Sequence, residues 1–305
     1  FRDEGPYDKA FDPPYTTAAI VTCGGLCPGL NNVIRSIYFE LCRNYGVKHV
    51  LGIKNGYHGL DEAAPAPMHF SAENVDDVHR LGGTILGSSR GQQNIESAVE
   101  FLRRERIDIL FCVGGDGTQR GAHLLHEEIR RRGLKIAIVG IPKTIDNDIM
   151  YVARTFGHST ALEVAQNALS CAHVEARAAQ NGIGVVKLMG RDAGYIAAGA
   201  TLASQEVDFC LVPEILFNLE GERGLLPALQ QVLQRQGHAV LAVAEGAGQH
   251  LFPDDLTQTD ESGNRRYHDI GSFLCRRISD HFGQAQIPIT LKYIDPSYMI
   301  RSIPA

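Results

Sequence analysis

Arg106-Ile-Asp-Ile-Leu-Phe-Cys-Val-Gly-Gly-Asp-Gly-Thr118 and Lys135-Ile-Ala-Ile-Val-Gly-Ile-Pro-Lys-Thr-Ile-Asp-Asn-Asp148 decide the reading of this chain. Ile107 and Ile109 to Val113 form a short, nearly continuous apolar run, and Ile136 to Ile141 form a second. Runs of this kind suit strands buried on both faces, as in a parallel sheet. Between them Ala122, Leu124, Leu125 and Ile129 fall at helical spacing, so the stretch reads as a βαβ unit. Both strands end in polar, turn-prone sequence, where open α/β sheets place their ligands.

The residues at those ends carry specific chemistry. Gly114, Gly115 and Gly117 remove side chains, so that backbone N–H groups can approach a phosphate. Asp116 is the one carboxylate among them; beside a phosphate it would be repulsive without a metal, which implies Mg²⁺. Asp146 and Asp148 stand two apart at the second end, with Thr144 as a hydroxyl donor. One carboxylate can hold metal-bound water while the other takes a proton from a hydroxyl nucleophile. These are the parts of a phosphoryl-transfer site. Gly-Gly-Asp-Gly is also ordinary turn chemistry, and it is the pairing of two such ends, one helix apart, that makes the signal specific.

Taken together, Gly-Gly-Asp-Gly-Thr and Pro-Lys-Thr-Ile-Asp-Asn-Asp resemble the 6-phosphofructokinase family, and within it the plant and trypanosomatid ATP-dependent type related to the pyrophosphate-dependent enzymes. The first motif alone also occurs in other kinases; the second separates the family from them. The resemblance extends over 17–305. It implies two doubly wound, Rossmann-like α/β domains with the active site in the cleft between them. It also implies transfer of the γ-phosphoryl group of ATP, with Mg²⁺, to the 1-hydroxyl of fructose 6-phosphate. The alternatives are the same reaction with pyrophosphate as donor, or a non-catalytic sugar-phosphate-binding relative. The intact carboxylates argue against the latter.

Composition bounds the rest. The chain has 305 residues, 44% of them hydrophobic, and carries 29 basic against 35 acidic side chains for a net charge of −6. That length suits one large domain or two of ~150 residues. The charge argues against a nucleic-acid binder and no basic cluster is dense enough to reverse it, and no apolar run approaches the ~20 residues of a membrane span. Seven cysteines, an odd number and several within apolar runs, read as reduced thiols in a cytosol-like compartment. Cys23 and Cys27 have no second pair at zinc spacing. The chain begins at Phe1 without Met, so organelle targeting stays open beside a cytoplasmic location.

Along the chain, 1–16 is a polar, proline-containing extension, 17–157 the expected nucleotide domain and 158–305 the expected sugar-phosphate domain. Strand 18–22 runs into Gly24-Gly25-Leu26-Cys27-Pro28-Gly29 and a helix, a phosphate site by geometry that lacks the dinucleotide spacing. Strand 50–53 precedes Gly56-Tyr57-His58-Gly59, where Tyr57 could be exposed and stack on a base or could equally well pack the loop. Arg90 ends the glycine-rich 82–90 turn. In the second half, Ser159 is the expected N-cap of a long helix, and strands end at Met189-Gly190-Arg191, at Pro213-Glu214 and at Glu245. An Arg fork after a strand-ending glycine fits a phosphate. Residues 253–270 read as a surface loop.

Residue roles follow from the resemblance. Asp146 is the implied base, with Arg191 and Thr144 stabilising the transferring group, and Asp116 and Asp148 are the metal ligands. Gly25, Tyr57, Arg90, Gly115, Gly117, Thr118, Gly121 and Lys143 are implied at the nucleotide. Thr144, Asp146, Met189, Gly190, Arg191, Glu214, Tyr298 and Arg301 are implied at the sugar phosphate. Gly117 favours ATP, because pyrophosphate users typically carry Asp there, whereas Lys143 is shared with them. A homo-oligomer, dimer or tetramer, is expected. An Arg that bacterial relatives place near Asn181-Gly182-Ile183 is missing, and the family's C-terminal return segment is absent after Ala305.

Overall fold

A computed structural model describes residues 10–91, 94–253, 259 and 265–305. Contacts divide it into two compact units, one reaching Lys143 and the other running from Thr144 to Ile303. The expected boundary was 157/158. The segment after Lys143 groups with the second unit because it is tied there: Asn147 Oδ1 accepts from Thr155 N–H (2.8 Å), and His158 Nδ1 lies 2.9 Å from the Ile145 carbonyl.

The first unit contains β1 (Thr17–Thr22), α1 (Leu30–Phe39), β2 (His49–Ile53), β3 (Met68–His69), α2 (Ala72–Val75), α3 (Ile95–Arg104), β4 (Ile109–Gly114), α4 (Asp116–Arg131) and β5 (Ala137–Pro142). The sheet order is β3-β2-β1-β4-β5, parallel except for β3. Ala18 to Val21 are fully buried, as a strand covered on both faces requires. One side of the sheet packs Ala19, Val21, Leu110 and Cys112 against Val99 and Leu102 of α3 and Ala122, Leu125 and Ile129 of α4.

Two expectations fail here. Leu124 is 53% exposed, because the buried stripe of α4 runs through Thr118, Ala122, Leu125 and Ile129 and leaves 124 off it. The run at 136–141 is not buried on both faces: β5 is the sheet edge, paired with β4, and Val139 is 38% exposed. Of the extension, residues up to 9 lie outside the described part; 13–15 form a short 3₁₀ turn leading to buried Thr16.

The second unit contains α5 (His158–Arg177), β6 (Gly182–Leu188), α6 (Tyr195–Ser204), β7 (Phe209–Leu211), α7 (Leu225–Gln236), β8 (His238–Ala244), α8 (Ile270–Gln284), β9 (Thr290–Ile294) and α9 (Ser297–Ser302). Its sheet is parallel throughout, in the order β7-β8-β6-β9. The N-cap of α5 is Gly157 in the left-handed region (φ 82°), not Ser159, which lies inside the helix. Much of the expected 253–270 loop falls outside the described residues; Asp269 caps α8 by accepting from Ser272 N–H, and Ile270 already belongs to that helix. Among the described residues no helix is long and apolar enough to cross a membrane.

Candidate functional site

In the first unit, the site gathers where β1, β4 and β5 end. The turn after β1 is held from three sides. Lys143 Nζ donates to the Gly25 carbonyl (2.6 Å), Ser88 Oγ donates to the Gly24 carbonyl (2.6 Å), and Gly24 N–H donates to the Ser89 carbonyl. Arg90 is exposed, and a Cβ placed on Gly25 would stand 3.5 Å from its Nη2. The turn after β4 is stitched to the same residue: Lys143 N–H donates to the Gly114 carbonyl (3.0 Å). Gly25, Arg90, Gly115 and Lys143 are therefore brought together, with two cations beside the glycines.

The glycine-rich stretch after β4 is less of a loop than the residue types indicate. Gly115 is the N-cap of α4, and Asp116, Gly117 and Thr118 form the helix's first turn. Their N–H groups have no acceptor within the helix, and the helix dipole adds positive potential there. Gly114 cannot carry a side chain, because the Thr118 side chain packs into the space its Cβ would take. Asp116 and Gly117 are exposed, Thr118 is buried and Gly121 sits further along the helix. Gln119, which sequence reasoning missed, donates its amide to the carbonyls of Gly114 (2.9 Å) and Ile141 (3.1 Å), locking the ends of β4 and β5 together.

Tyr57 corrects an expectation. It is only 8% exposed, in a 3₁₀ turn at 56–60, and its hydroxyl donates to the Thr118 carbonyl (2.7 Å). Burial, with the Cys112 and Cys23 thiols close by, pushes its pKa up and keeps the phenol protonated. The ring thus supports the start of α4 from inside the core and is not an exposed platform.

In the second unit, 144–148 forms a self-bonded loop. Thr144 Oγ1 donates to Asp148 Oδ1 (2.8 Å) and accepts from Asp146 N–H (3.1 Å). Asp146 is 7% exposed, while Asp148 is exposed. Asn147 between them adopts the left-handed region (φ 58°), which Asn tolerates better than most residues. Asn147, Thr155 and His158, which together hold the loop on α5, were not assigned from sequence.

The turn after β6 is clamped by two carboxylates. Glu245 Oε1 accepts from Arg191 N–H (3.0 Å), and Glu214 Oε1 accepts from Gly194 N–H (2.8 Å). Gly190 has φ 144° and no room for a Cβ beside the Ala193 carbonyl. Arg191 itself has φ 49°, a strained backbone for a long side chain that costs of order 1–3 kcal/mol and is held by the surrounding bonds. Met189 is half-buried just beyond β6. Tyr267 faces the same turn and hydrogen-bonds Asp192; burial and that carboxylate raise its pKa. On α9, Arg301 stacks over the exposed Tyr298 ring at 4.6 Å, so those two assigned residues act as a pair. Glu245 and Tyr267 had no assigned role, since nothing local distinguishes them from surface polar residues.

The fit to Mg²⁺ can be judged from the donors. Asp116 and Asp148 are both exposed carboxylates, hard oxygen donors of the kind the ion takes. Among the described residues no group of three or more His, Cys, Asp or Glu side chains could hold a metal ion. That suits an ion arriving with phosphates, which needs one or two protein carboxylates, and not a resident protein cage.

The phosphofructokinase family model matches residues 17–303. The chain is 50% identical to ATP-dependent 6-phosphofructokinase 7 of Arabidopsis thaliana, in an alignment covering 100% of this chain and 63% of that one. It is also 50% identical to the ATP-dependent 6-phosphofructokinase of Borreliella burgdorferi, covering 99% and 69%. A pyrophosphate-dependent phosphofructokinase structure from Marinobacter aquaeolei superposes with a TM-score of 0.76 at 22% identity, covering 94% of this chain and 69% of that one, and shows the shared fold alone. The chain spans 63% and 65% of the length of two Arabidopsis relatives it matches.

Proposed function

Given that the chain belongs to the phosphofructokinase family, we propose that it is an ATP-dependent 6-phosphofructokinase. It transfers the γ-phosphoryl group of ATP to the 1-hydroxyl of fructose 6-phosphate. The observation that carries the reading is the arrangement in the first unit: the Gly24-Gly25 turn flanked by Arg90 and Lys143, stitched to the open N-terminus of α4. Backbone N–H groups, a helix dipole and two cations suit a polyphosphate.

On this reading Gly25, Arg90, Gly115, Gly117, Thr118, Gly121 and Lys143 hold the nucleotide, and Tyr57 supports them from behind. Arg191, Gly190, Met189, Glu214, Tyr298 and Arg301 hold the sugar phosphate. Asp146 takes the proton of the 1-hydroxyl as it attacks. Arg191 and Thr144 stabilise charge on the group in transfer. Asp116 and Asp148 would hold Mg²⁺, which neutralises phosphate charge when bound.

The donor follows from weighing Gly117 against Lys143. Gly117 is exposed at the first turn of α4 and brings no Cβ or charge to where an α-phosphate would lie. Lys143, the feature shared with pyrophosphate users, is buried and donates to the Gly25 carbonyl. Its ammonium therefore has a structural duty with either donor, which weakens it as a sign of pyrophosphate. The relatives at 50% identity are named ATP-dependent. The proposal extends to a cytoplasmic homo-oligomer, whose size light scattering would give. Turnover of fructose 6-phosphate measured in parallel with MgATP and Mg-pyrophosphate tests the central reading. Activity with ATP is expected; a preference for pyrophosphate at saturating sugar phosphate overturns the choice of donor, and no turnover with either overturns the activity.

A further inference from the structure

We propose that Lys187 is a positioning residue for the sugar-phosphate side of the reaction, its ammonium tying the N-cap of α8 and the residue just before the N-cap of α9 to β6. The inference rests on the functional reading above for the identity of the substrate, and on geometry for the tether. Lys187 stands near the end of β6, next to Leu188 and the Met189–Arg191 segment. Its side chain is only 18% exposed, and Nζ lies 2.8 Å from Asp295 Oδ2 and 3.6 Å from Asp269 Oδ1. The sheet register pairs Val186 with Ile294, which brings Lys187 alongside Asp295.

Each carboxylate already has a local task. Asp295 Oδ1 accepts from Ser297 N–H (3.1 Å) and Ser297 Oγ (2.5 Å), organising the start of α9. Asp269 accepts from Ser272 N–H (3.3 Å) and Ser272 Oγ (2.5 Å), capping α8. One ammonium therefore joins the ends of two helices to the strand that carries Arg191. Burial alone would depress the lysine pKa, but the Asp295 hydrogen bond and the Asp295 and Asp269 carboxylates raise it, so the tether stays cationic at neutral pH.

The reason such a tether matters lies in α9. It has six residues, too few to be stable as an isolated helix. Its outer face carries Tyr298 and Arg301, and its inner face is fixed by buried Ile300. Ile300 gives the segment a pivot; the Asp295 anchor fixes its direction, and with it the place of the Arg301 guanidinium relative to the Arg191 turn. A shift of about 1 Å in such a group can cost up to about 100-fold in rate.

The test is Lys187→Met and Lys187→Arg in the full chain, with KM and kcat for fructose 6-phosphate and for ATP measured separately. In Lys187→Met the KM for fructose 6-phosphate rises and its kcat/KM falls, by about 10–100-fold, with the KM for ATP unchanged. Lys187→Arg recovers part of the loss, because a guanidinium can bridge two carboxylates. An unchanged sugar-phosphate KM in Lys187→Met, a parallel rise in both KM values, or an Arg variant no better than Met overturns the proposal. If Lys187→Met does not fold, Asp295→Asn, which keeps the size of the side chain and the Lys187–Asp269 contact, must raise the same KM or the proposal falls. Turnover by the unmodified protein decides the functional reading by itself, so a failure there is distinguishable from a failure of the tether.

Discussion

Asn147 offers the sharpest perturbation of the catalytic loop, because it touches neither substrate in the proposed roles and yet sits between Asp146 and Asp148. Its Oδ1 accepts from the N–H of buried Thr155 (2.8 Å) and weakly from Thr155 Oγ1 (3.4 Å). Asn147→Ala removes that acceptor and leaves a buried N–H without it, at a cost of about 2 kcal/mol. It also leaves a Cβ-bearing residue in the left-handed region without the local hydrogen bonding that suits Asn to it, adding about 1 kcal/mol. The total of roughly 3 kcal/mol corresponds to a fall of about 6–12 °C in the Tm of the second unit, at 2–4 °C per kcal/mol for its size. Asn147→Gly loses the same hydrogen bonds but accepts the backbone, so it falls by about 4–8 °C. Calorimetry on both variants separates the two contributions. Steady-state kinetics adds the functional part: kcat falls by up to about 100-fold as Asp146 loses its position, while the KM for ATP, set in the first unit, is unchanged. If both variants melt with the unmodified protein and turn over at its rate, the loop does not depend on this staple and the reasoning is wrong.

Further outcomes follow from the same geometry. Asp146→Asn keeps the loop's shape and removes the base, so kcat drops by about 10²–10⁴-fold with sugar-phosphate binding retained; full-rate turnover by the folded variant would sink the assignment. Tyr57→Phe keeps the ring and deletes the hydroxyl that holds the Thr118 carbonyl, which costs about 1 kcal/mol and raises the KM for ATP through the loosened start of α4. An unchanged KM and melting temperature would show that this hydroxyl does not hold the start of α4. Burial, and then the neighbouring thiol, pushes the Cys23 pKa up to about 12, and burial does the same for Cys112. At pH 8 each is therefore ionised to only about one part in 10⁴. Maleimide labelling of the native protein followed by mass spectrometry should modify exposed Cys171 first and leave those two intact; early labelling of either shows that the first unit opens readily.

The sequence made the strand ends legible because two signals coincide there. β1 and β4 are continuous apolar runs, which only a doubly covered strand needs, and each stops at glycines. The same logic misread β5: an apolar run states that a strand avoids water, but it does not say on which side the sheet continues. It also misread the start of α4, since Gly-Asp-Gly is turn-like by residue type, and only tertiary packing of Thr118 and Gln119 shows that the helix begins at Asp116. Tyr57 failed for a related reason. Residue type places an aromatic after a strand but not the side to which the following 3₁₀ turn directs it, and here the turn directs it into the core. Ser159 is a credible helix start by residue type, but the structure caps the helix two residues earlier, at Gly157 with its left-handed φ.

What stayed hidden is mostly long-range polar bonding, and that bonding explains how glycine-rich turns can form a precise site. Glycine costs conformational entropy when it is ordered, so a turn such as 190–194 or 24–25 needs external bonds to hold one shape. The chain supplies them from strand ends far away in sequence: Lys143 to Gly25, Glu245 to Arg191, Glu214 to Gly194. Glu214 illustrates the consequence. One of its oxygens accepts from Gly194 N–H, and a carboxylate offers further lone pairs, so the group proposed to accept sugar hydroxyls also sets the turn that presents Arg191. Its binding role and its organising role are the same hydrogen-bonding capacity divided between two partners. A site built this way is shaped before substrate arrives, and the ordering cost of Arg191's left-handed backbone is met within the fold and not at the expense of binding.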